Sequence, residues 1–170
     1  GVDMSELINQ LETIITELEN MKEDEPTPTN EPVLPVDPPV VLTDRFGMRF
    51  NPVTDEYELH NGLDFAGDLN ANIYSVKSGE VVTVGFNEFR GNWVMVKHDD
   101  DEEIYSKYLH LNHVDVTQGQ SVSKGQKLGG MGTTGQSTGV HLHLTISTTA
   151  EGGNDGGEWI DPEIYLADVL

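Results

Sequence analysis

Residues 79–110 read GEVVTVGFNEFRGNWVMVKHDDDEEIYSKYLH, and this stretch decides the fold class. It contains three apolar or alternating runs, at residues 80–86, 92–98 and 103–110. These runs are separated by turn residues at 87–91 and 99–102. Short runs bounded by glycine, asparagine and aspartate at this spacing are typical of β-strands joined by tight connections. The stretch therefore predicts a mainly β domain whose strands are largely antiparallel.

The sequence around this stretch extends the same pattern over residues 42–170. A fourth candidate strand covers residues 140–147 and follows a glycine-rich segment at 129–139. Residues 151–158 form a polar, glycine-rich loop, and only the tail at 162–170 suits a short helix. We therefore expect one sandwich-like domain of antiparallel sheet.

Residues 3–24 have a different pattern, that of one amphipathic helix. Apolar residues alternate spacings of three and four, which makes a heptad seam of three repeats: Met4, Leu7, Leu11, Ile14, Leu18 and Met21. Ile8 and Ile15 widen the stripe, and glutamates occupy much of the remaining surface. The pattern predicts either a coiled coil that makes a homo-oligomer through residues 4–21 or a helix that attaches the chain to a larger assembly.

Residues 25–41 contain six of the eight prolines in the chain. Proline removes backbone donors and favours an extended polyproline conformation, so this segment predicts a semi-rigid spacer. The chain is thereby expected to divide into a helix at 1–24, a proline-rich linker at 25–41 and a domain at 42–170.

Charge and composition exclude several classes of function. Nine basic residues stand against thirty acidic ones, a formal net charge of -21, which suits neither nucleic acid nor an anionic membrane as a partner. No apolar run approaches the length of a membrane span. Cysteine is absent, so disulfides, thiol nucleophiles and cysteine-based zinc sites are excluded. Any metal must be held by histidine, aspartate or glutamate.

The six histidines all follow residue 59, and three of their settings suit a metal site. His60 and Asp64 are four residues apart, while His141 and His143 are two apart in an apolar run, on the same side of a predicted strand. His110 ends another predicted strand. A catalytic zinc needs about three protein ligands and an open position, which leaves two of these five groups for proton transfer. Spacing alone does not choose between the two histidines of the pair.

The sequence resembles the lysostaphin-like zinc endopeptidases of bacterial cell wall, which are related to the beta-lytic metallopeptidases. The resemblance covers about residues 44–165. It rests on three motifs in the family's order: His60-Asn61-Gly62-Leu63-Asp64, Tyr108-Leu109-His110-Leu111 and His141-Leu142-His143. Weaker matches lie at residues 45–52 and in the closing element Trp159-Ile160-Asp161-Pro162.

The resemblance implies a role for each of the five residues. His60, Asp64 and His143 would be ligands of Zn²⁺. His110 and His141 would be catalytic, acting on the water nucleophile and on the oxyanion, and which of them is the general base stays open. The implied reaction is hydrolysis of a peptide bond in peptidoglycan, in the stem peptide or the cross-bridge. Loops at residues 44–58, 86–91 and 150–158 are expected to select the bond.

The expected setting is extracellular or virion-associated. The helix and the spacer suggest a tail-associated protein that degrades the cell wall locally as a bacteriophage enters its host, with a secreted bacterial hydrolase as the alternative setting. Two alternatives belong to other classes: a zinc-free or inactive module that binds the wall or activates another enzyme, and a structural oligomeric tail component. All five residues that would carry the chemistry are present, which favours the enzyme.

Overall fold

A computed structural model describes the backbone of residues 3–24, 31–52, 54–100 and 102–170, and the side chains of all of these except residues 20–24. The first part of the expected spacer, residues 25–30, and the side chain of Met21 therefore lie outside the described residues. The chain divides into two compact units, of which the first contains the N-terminal helix and the second begins at Glu31.

The predicted N-terminal helix is confirmed as α1, Met4–Asp24. Seven apolar side chains of its seam and flank are exposed, from Leu7 at 42% to Met4 at 70%. A helix of this length is marginal in water without tertiary packing, so an exposed apolar stripe is a candidate contact surface.

Within the described residues, the second unit contains thirteen strands, one 3₁₀ helix and one short α-helix. In chain order these are β1 (Val41–Asp44), β2 (Gly47–Asn51), β3 (Glu56–His60), β4 (Leu63–Ala66), β5 (Asn72–Tyr74), β6 (Gly79–Asn87), β7 (Gly91–His98), β8 (Tyr105–Leu111), β9 (His113–Val114), β10 (Ser121–Val122), β11 (Lys127–Gly130), β12 (His141–Ser147), the 3₁₀ helix (Gly152–Asn154), β13 (Trp159–Ile160) and α2 (Pro162–Tyr165).

One large sheet dominates the second unit. Its strands follow the order β1-β4-β12-β8-β7-β6-β10, with β13 added against β12, and its pairings are antiparallel. A three-stranded sheet of order β5-β11-β9 and a hairpin of β2 and β3 complete the β-structure. The prediction of a mainly β, antiparallel domain preceded by one helix is confirmed.

The four predicted strands appear as β6, β7, β8 and β12, with bounds that shift by at most two residues. The predicted tail helix is shorter than expected and ends at Tyr165. Beyond it the backbone includes three-residue turns, which join Ala167 N to Ile164 O and Val169 N to Leu166 O. The tail therefore closes in turns instead of a continued helix.

Side chains on β12 alternate between the two faces of the large sheet, as strand geometry requires. Leu142, Leu144 and Ile146 are fully buried in the core. His141 and His143 point to the opposite face. Other strands contribute to the same core Leu63, Phe65, Val94, Val96, Tyr108 and Leu111. One face of the sheet thus packs into the core, and the opposite face carries the two histidines.

The second half of the expected spacer belongs to the domain, which corrects the boundary at residue 42. Val33 N donates to Val76 O at 2.8 Å, and Val36 pairs with Ile73 in an isolated antiparallel bridge. Val36 is also buried in the core. The valines between the prolines supply apolar surface, and burying that surface outweighs the tendency of proline-rich chain to stay extended in water.

No helix in the described ranges is long and apolar enough to cross a membrane.

Candidate metal centre and active site

Three side chains predicted as metal ligands lie together at one end of the large sheet, and we call them the metal cluster: His60 at the end of β3, Asp64 on β4 and His143 on β12. Asp64 and His143 face each other in register across β4 and β12. His143 Nδ1 lies 2.7 Å from Asp64 Oδ1, and His60 Nε2 lies 3.4 Å from Asp64 Oδ2. One ligand atom from each residue lies within 4.8 Å of the others, which suits one small ion.

Hydrogen bonds behind the cluster decide which ring nitrogens face Asp64. His60 Nδ1 donates to the carbonyl oxygen of Arg45 at 2.8 Å, which leaves Nε2 as the nitrogen with the lone pair. His143 Nε2 lies 2.9 Å from Asn61 Oδ1 and donates to it, so Nδ1 is the ligand nitrogen. Two neutral imidazoles and one carboxylate, each held from behind, form a donor set that fits Zn²⁺.

The connection between β3 and β4 packs closely on β12. A Cβ at Gly62 would collide with the carbonyl oxygen of Leu144 and with the ring of His143. The glycine of the motif that begins at His60 therefore has a physical reason: only a residue without a side chain lets this backbone approach the third ligand.

The carboxylate of the cluster suits metal binding, whereas a proton competes with the metal for His60. Burial opposes ionisation of Asp64. When no cation is bound, protons on the His143 and His60 nitrogens that face Asp64 make hydrogen bonds to it, and these hold the pKa of Asp64 well below its usual range. Burial likewise opposes protonation of His60, yet the hydrogen bond to Asp64 and the carbonyl of Arg45 raise the pKa of His60. Asp64 is thus a carboxylate at neutral pH, the form that binds a cation.

The two predicted catalytic residues, His110 and His141, lie side by side next to the cluster, and we call them the histidine pair. Their ring centroids are 4.8 Å apart, and the ring of His110 is 6.3 Å from that of His143. His110 Nδ1 donates to the carbonyl oxygen of Thr134, and His141 Nδ1 to that of Gly139, both at 2.8 Å. Each ring therefore has its lone pair on Nε2.

The backbone at His110 is unusual, with a positive φ of 65° at the end of β8. Its amide donates to the carbonyl oxygen of Arg90 at 2.9 Å, which holds the strand end in place. Such a conformation is rare outside glycine and costs energy, and it is commonest where side-chain direction serves a function. Burial lowers the pKa of His110, which keeps the ring neutral near pH 7.

The metal cluster and the histidine pair open into one groove with a volume of about 420 Å³. Its lining residues come from strands β8 and β12, the β2–β3 hairpin, the β6–β7 turn and the segment that leads into β13. Besides the five site residues it is lined by Arg49, Leu59, Asn61, Phe89, Arg90, Lys107, Leu109, Gln136, Thr145, Asn154 and Trp159. Each of the three loops expected to select the bond contributes at least one of these residues.

Several groove residues were not predicted as site residues, among them Lys107, Arg90, Trp159 and Thr145. The two-residue alternation of strands could have found Thr145, which shares the face of His143. No local signal in the sequence brings Lys107 and Arg90 to the same place, because long-range strand pairing decides it.

The comparisons with known proteins agree with this geometry. Residues 58–162 match the family described as Peptidase family M23. Over 99 residues the chain is 39% identical to the peptidoglycan DD-endopeptidase ShyB of Vibrio cholerae serotype O1, a match that covers 58% of this chain and 22% of that protein. It is 33% identical over 102 residues to the DD-carboxypeptidase/endopeptidase Mpg of Neisseria meningitidis serogroup B, with 60% of this chain and 23% of that protein covered.

Solved structures show the same fold. A zinc-containing peptidase from Vibrio cholerae superposes with a TM-score of 0.67 at 32% identity, covering 83% of this chain and 40% of that one. The catalytic domain of lysostaphin from Staphylococcus simulans superposes with a TM-score of 0.66 at 25% identity, covering 75% of this chain and 92% of that one. The matched part thus corresponds to nearly all of one isolated catalytic domain but spans less than a quarter of the two curated relatives.

Proposed function

Because the chain belongs to peptidase family M23, we propose that it is a zinc-dependent endopeptidase that hydrolyses peptide bonds of bacterial peptidoglycan. The observation that carries the proposal is the position of the metal cluster beside the histidine pair at the floor of one groove. The names of two curated relatives, a peptidoglycan DD-endopeptidase and a DD-carboxypeptidase/endopeptidase, support the substrate.

In the proposed site, His60 Nε2, a carboxylate oxygen of Asp64 and His143 Nδ1 would hold Zn²⁺. When bound, this ion supplies Lewis acidity, which polarises a carbonyl group and lowers the pKa of water towards neutrality. Asn61 and the carbonyl oxygen of Arg45 keep the two imidazoles in the tautomers that this role needs.

The histidine pair handles protons. Because Thr134 and Gly139 anchor the Nδ1 atoms, Nε2 of either ring can accept a proton from the attacking water. The imidazolium that results can donate a hydrogen bond to the developing oxyanion or pass the proton to the leaving amine. His110 and His141 are therefore proposed as the catalytic residues, and either of them can act as the general base.

Digestion of purified peptidoglycan tests the proposal. We expect the zinc-loaded protein to release soluble peptides, a chelator to stop the release and added zinc to restore it. His143→Ala should reduce bound zinc and lower the rate by about a thousandfold or more, since several kcal/mol of electrostatic stabilisation disappear. His113→Ala is the matched control, because His113 lies outside the groove and pairs with Asp115. Full activity of His143→Ala would sink the enzymatic proposal, and wall binding without cleavage would favour a binding module.

We further propose that α1 makes the protein a homo-oligomer through residues 4–21. The support is its exposed apolar stripe, which includes Leu11 at 58% and Ile14 at 50%. Light scattering of the full chain should give a mass above that of one chain, and Leu11→Glu with Ile14→Glu should return it to a monomer. A monomeric parent chain would contradict the proposal.

The proposed setting is extracellular, on the bacterial wall, and virion-associated in a bacteriophage tail. An oligomeric helix followed by a peptidase domain suits a protein that a larger assembly presents to the wall. Mass spectrometry of purified virions should detect the chain among the tail proteins, whereas detection only in bacterial culture fluid would assign it to a secreted hydrolase.

A further inference from the structure

Positive charge gathers in the groove although the chain is strongly acidic. Of nine basic residues in a chain with a net charge of -21, three line the groove: Arg49, Arg90 and Lys107. Arg49 is paired with Asp44, so the cations that can attract an anionic ligand are Arg90 and Lys107. Field lines from these two charges concentrate in a cleft with low-dielectric walls.

Arg90 and Lys107 lie together at one end of the groove and share one acidic partner. Arg90 Nη2 is 2.6 Å from Glu151 Oε2, and Lys107 Nζ is 3.5 Å from the same oxygen. The Lys107 side chain is only 3% exposed, and its ammonium lies 5.7 Å from the ring centre of Trp159. Two cations thus contact one partly exposed carboxylate, and Asp155 acts on Lys107 from a greater distance. Lys107 is the buried member of this group, so a second anion in contact with it would add to the compensation of its charge.

Thr145 adds a second, independent observation. It lies directly opposite Lys107 in the register of β12 and β8 and is 2% exposed. Within the described part of the chain, its hydroxyl has no hydrogen-bond partner. Buried polar groups are normally satisfied. The Thr145 hydroxyl oxygen has almost no accessible surface, so it gains a partner when the side chains that cover it move aside for a ligand.

The distance from Thr145 to the metal cluster shows which part of a bound peptide would reach Lys107 and Thr145. Thr145 lies two residues beyond His143 on the same strand face, which is roughly 7 Å. An extended peptide covers about the same distance in two residues. A substrate that lies along β12 with its scissile bond at the cluster therefore brings a group within two residues of that bond to Lys107 and Thr145.

We propose that Lys107, Arg90 and Thr145 form a subsite for a free carboxylate of the substrate peptide, within about two residues of the bond that is cut. The substrates would then be acidic stem peptides, such as those that carry the free carboxylate of a diamino acid, and not uncharged glycine bridges. The inference rests on the proposed peptidase function and names the substrate class of that same groove.

Two synthetic peptides that differ only by a carboxylate or a carboxamide at this position test the subsite. With the zinc-loaded full chain, the acid should have a kcat/KM roughly 10- to 100-fold above that of the amide, mainly through KM, as a charge-assisted hydrogen bond would give. Lys107→Met, which keeps the length and the packing of the side chain, should bring the ratio close to one. Lys127→Met is the matched control, because Lys127 pairs with Asp115 outside the groove, and should leave the ratio unchanged.

A second variant, with the opposite expected effect on the acid-to-amide ratio, keeps the test valid if Lys107→Met misfolds. Glu151→Gln removes the internal partner of both cations, so the acid-to-amide ratio should rise above that of the parent protein. Affinities of the two peptides for the His141→Ala protein, measured by calorimetry, give the same ratio without turnover. Equal ratios in the parent, Lys107→Met and Glu151→Gln proteins would overturn the subsite.

The failure of the subsite is distinguishable from failure of the peptidase function. Cleavage of both peptides at equal rates removes the subsite and leaves the peptidase in place. If neither peptide is cleaved and the zinc-loaded protein digests no type of cell wall, the peptidase proposal fails, and the calorimetric ratio then decides the subsite by itself.

Discussion

The large sheet buries histidines on both of its faces, and their surroundings differ. His98 faces the core, where the carbonyl oxygen of Ser78 lies 3.1 Å from Nδ1 and Ser106 Oγ lies 2.7 Å from Nε2. His110 and His141 line the groove and give one nitrogen each to a backbone carbonyl. The core histidine uses both nitrogens for structural hydrogen bonds, whereas each groove histidine gives Nδ1 to the backbone, which suits the proton transfer proposed for Nε2.

The charge of the hydrogen-bond partner also distinguishes His60 of the metal cluster from the core histidine His98. His60 shares a hydrogen bond with the carboxylate of Asp64, and its pKa is raised in spite of burial. The hydrogen-bond partners of His98 are a carbonyl group and the hydroxyl of Ser106, whose Oγ also lies 2.8 Å from Tyr108 Oη. Burial lowers the pKa of His98 although the charges of Asp100 and Asp99 act in the opposite direction. A hydrogen-bonded carboxylate, and not burial alone, therefore distinguishes His60 from His98.

Among the changes that test this contrast, removing one ring of the histidine pair should lower kcat the most. His110→Ala or His141→Ala should lower kcat for peptidoglycan digestion by roughly 100- to 10,000-fold, the usual contribution of a positioned acid or base. Bound zinc, measured by elemental analysis, should stay at the parent level because neither ring belongs to the metal cluster. His98→Gln is the counterpart on the other face and should keep kcat within a few-fold of the parent value. Loss of zinc from His141→Ala would move that residue into the ligand set.

Substitution of Asn61, which contacts His143 of the metal cluster, is expected to have a smaller effect, on zinc affinity. Its Oδ1 fixes the ring of His143, so Asn61→Ala should weaken zinc affinity by about 10- to 100-fold while kcat at saturating zinc changes little. Asn61→Asp keeps an acceptor at the same place and should restore the affinity. Competition with a chromogenic chelator measures both variants, and equal affinities for Asn61→Ala and the parent would show that the ring needs no such partner.

The sequence predicted the long strands of the fold and missed the short ones. β6, β7, β8 and β12 have seven to nine residues each, enough for alternation to be visible. Strands such as β9 and β10 have two residues each and carry no periodicity of their own. The spacer boundary was placed eleven residues too late because proline content hid the apolar contribution of Val36, which only the distant Ile73 reveals.

The candidate site shows the same limit. Spacing placed His141 and His143 on one face but did not choose between them. The choice came from a family resemblance, and strand register gives it a physical basis, because His143 lies opposite Asp64 while His141 lies opposite Ala66. Glu151 lies far along the chain from Lys107, so local sequence could not predict their contact.

The smallest expected effect concerns the stability contributed by His98. In the unfolded chain His98 titrates near pH 6.5, and burial lowers its pKa in the folded protein. Below pH 6.5 the unfolded state therefore binds more protons, so the free energy of unfolding falls as pH drops towards the folded pKa, by at most about 1.4 kcal/mol per pH unit. Above pH 6.5 this residue adds no pH dependence.

The difference between the parent protein and His98→Gln isolates this contribution, since the other titrating groups are common to both. Urea unfolding at saturating zinc, followed by tryptophan fluorescence, reports the second unit alone because Trp93 and Trp159 both lie there. The stability advantage of the parent should be constant above about pH 7 and shrink between pH 6.5 and 5.5. An advantage independent of pH would mean that His98 is not a neutral core histidine, and the contrast between the two faces would then rest on the groove histidines only.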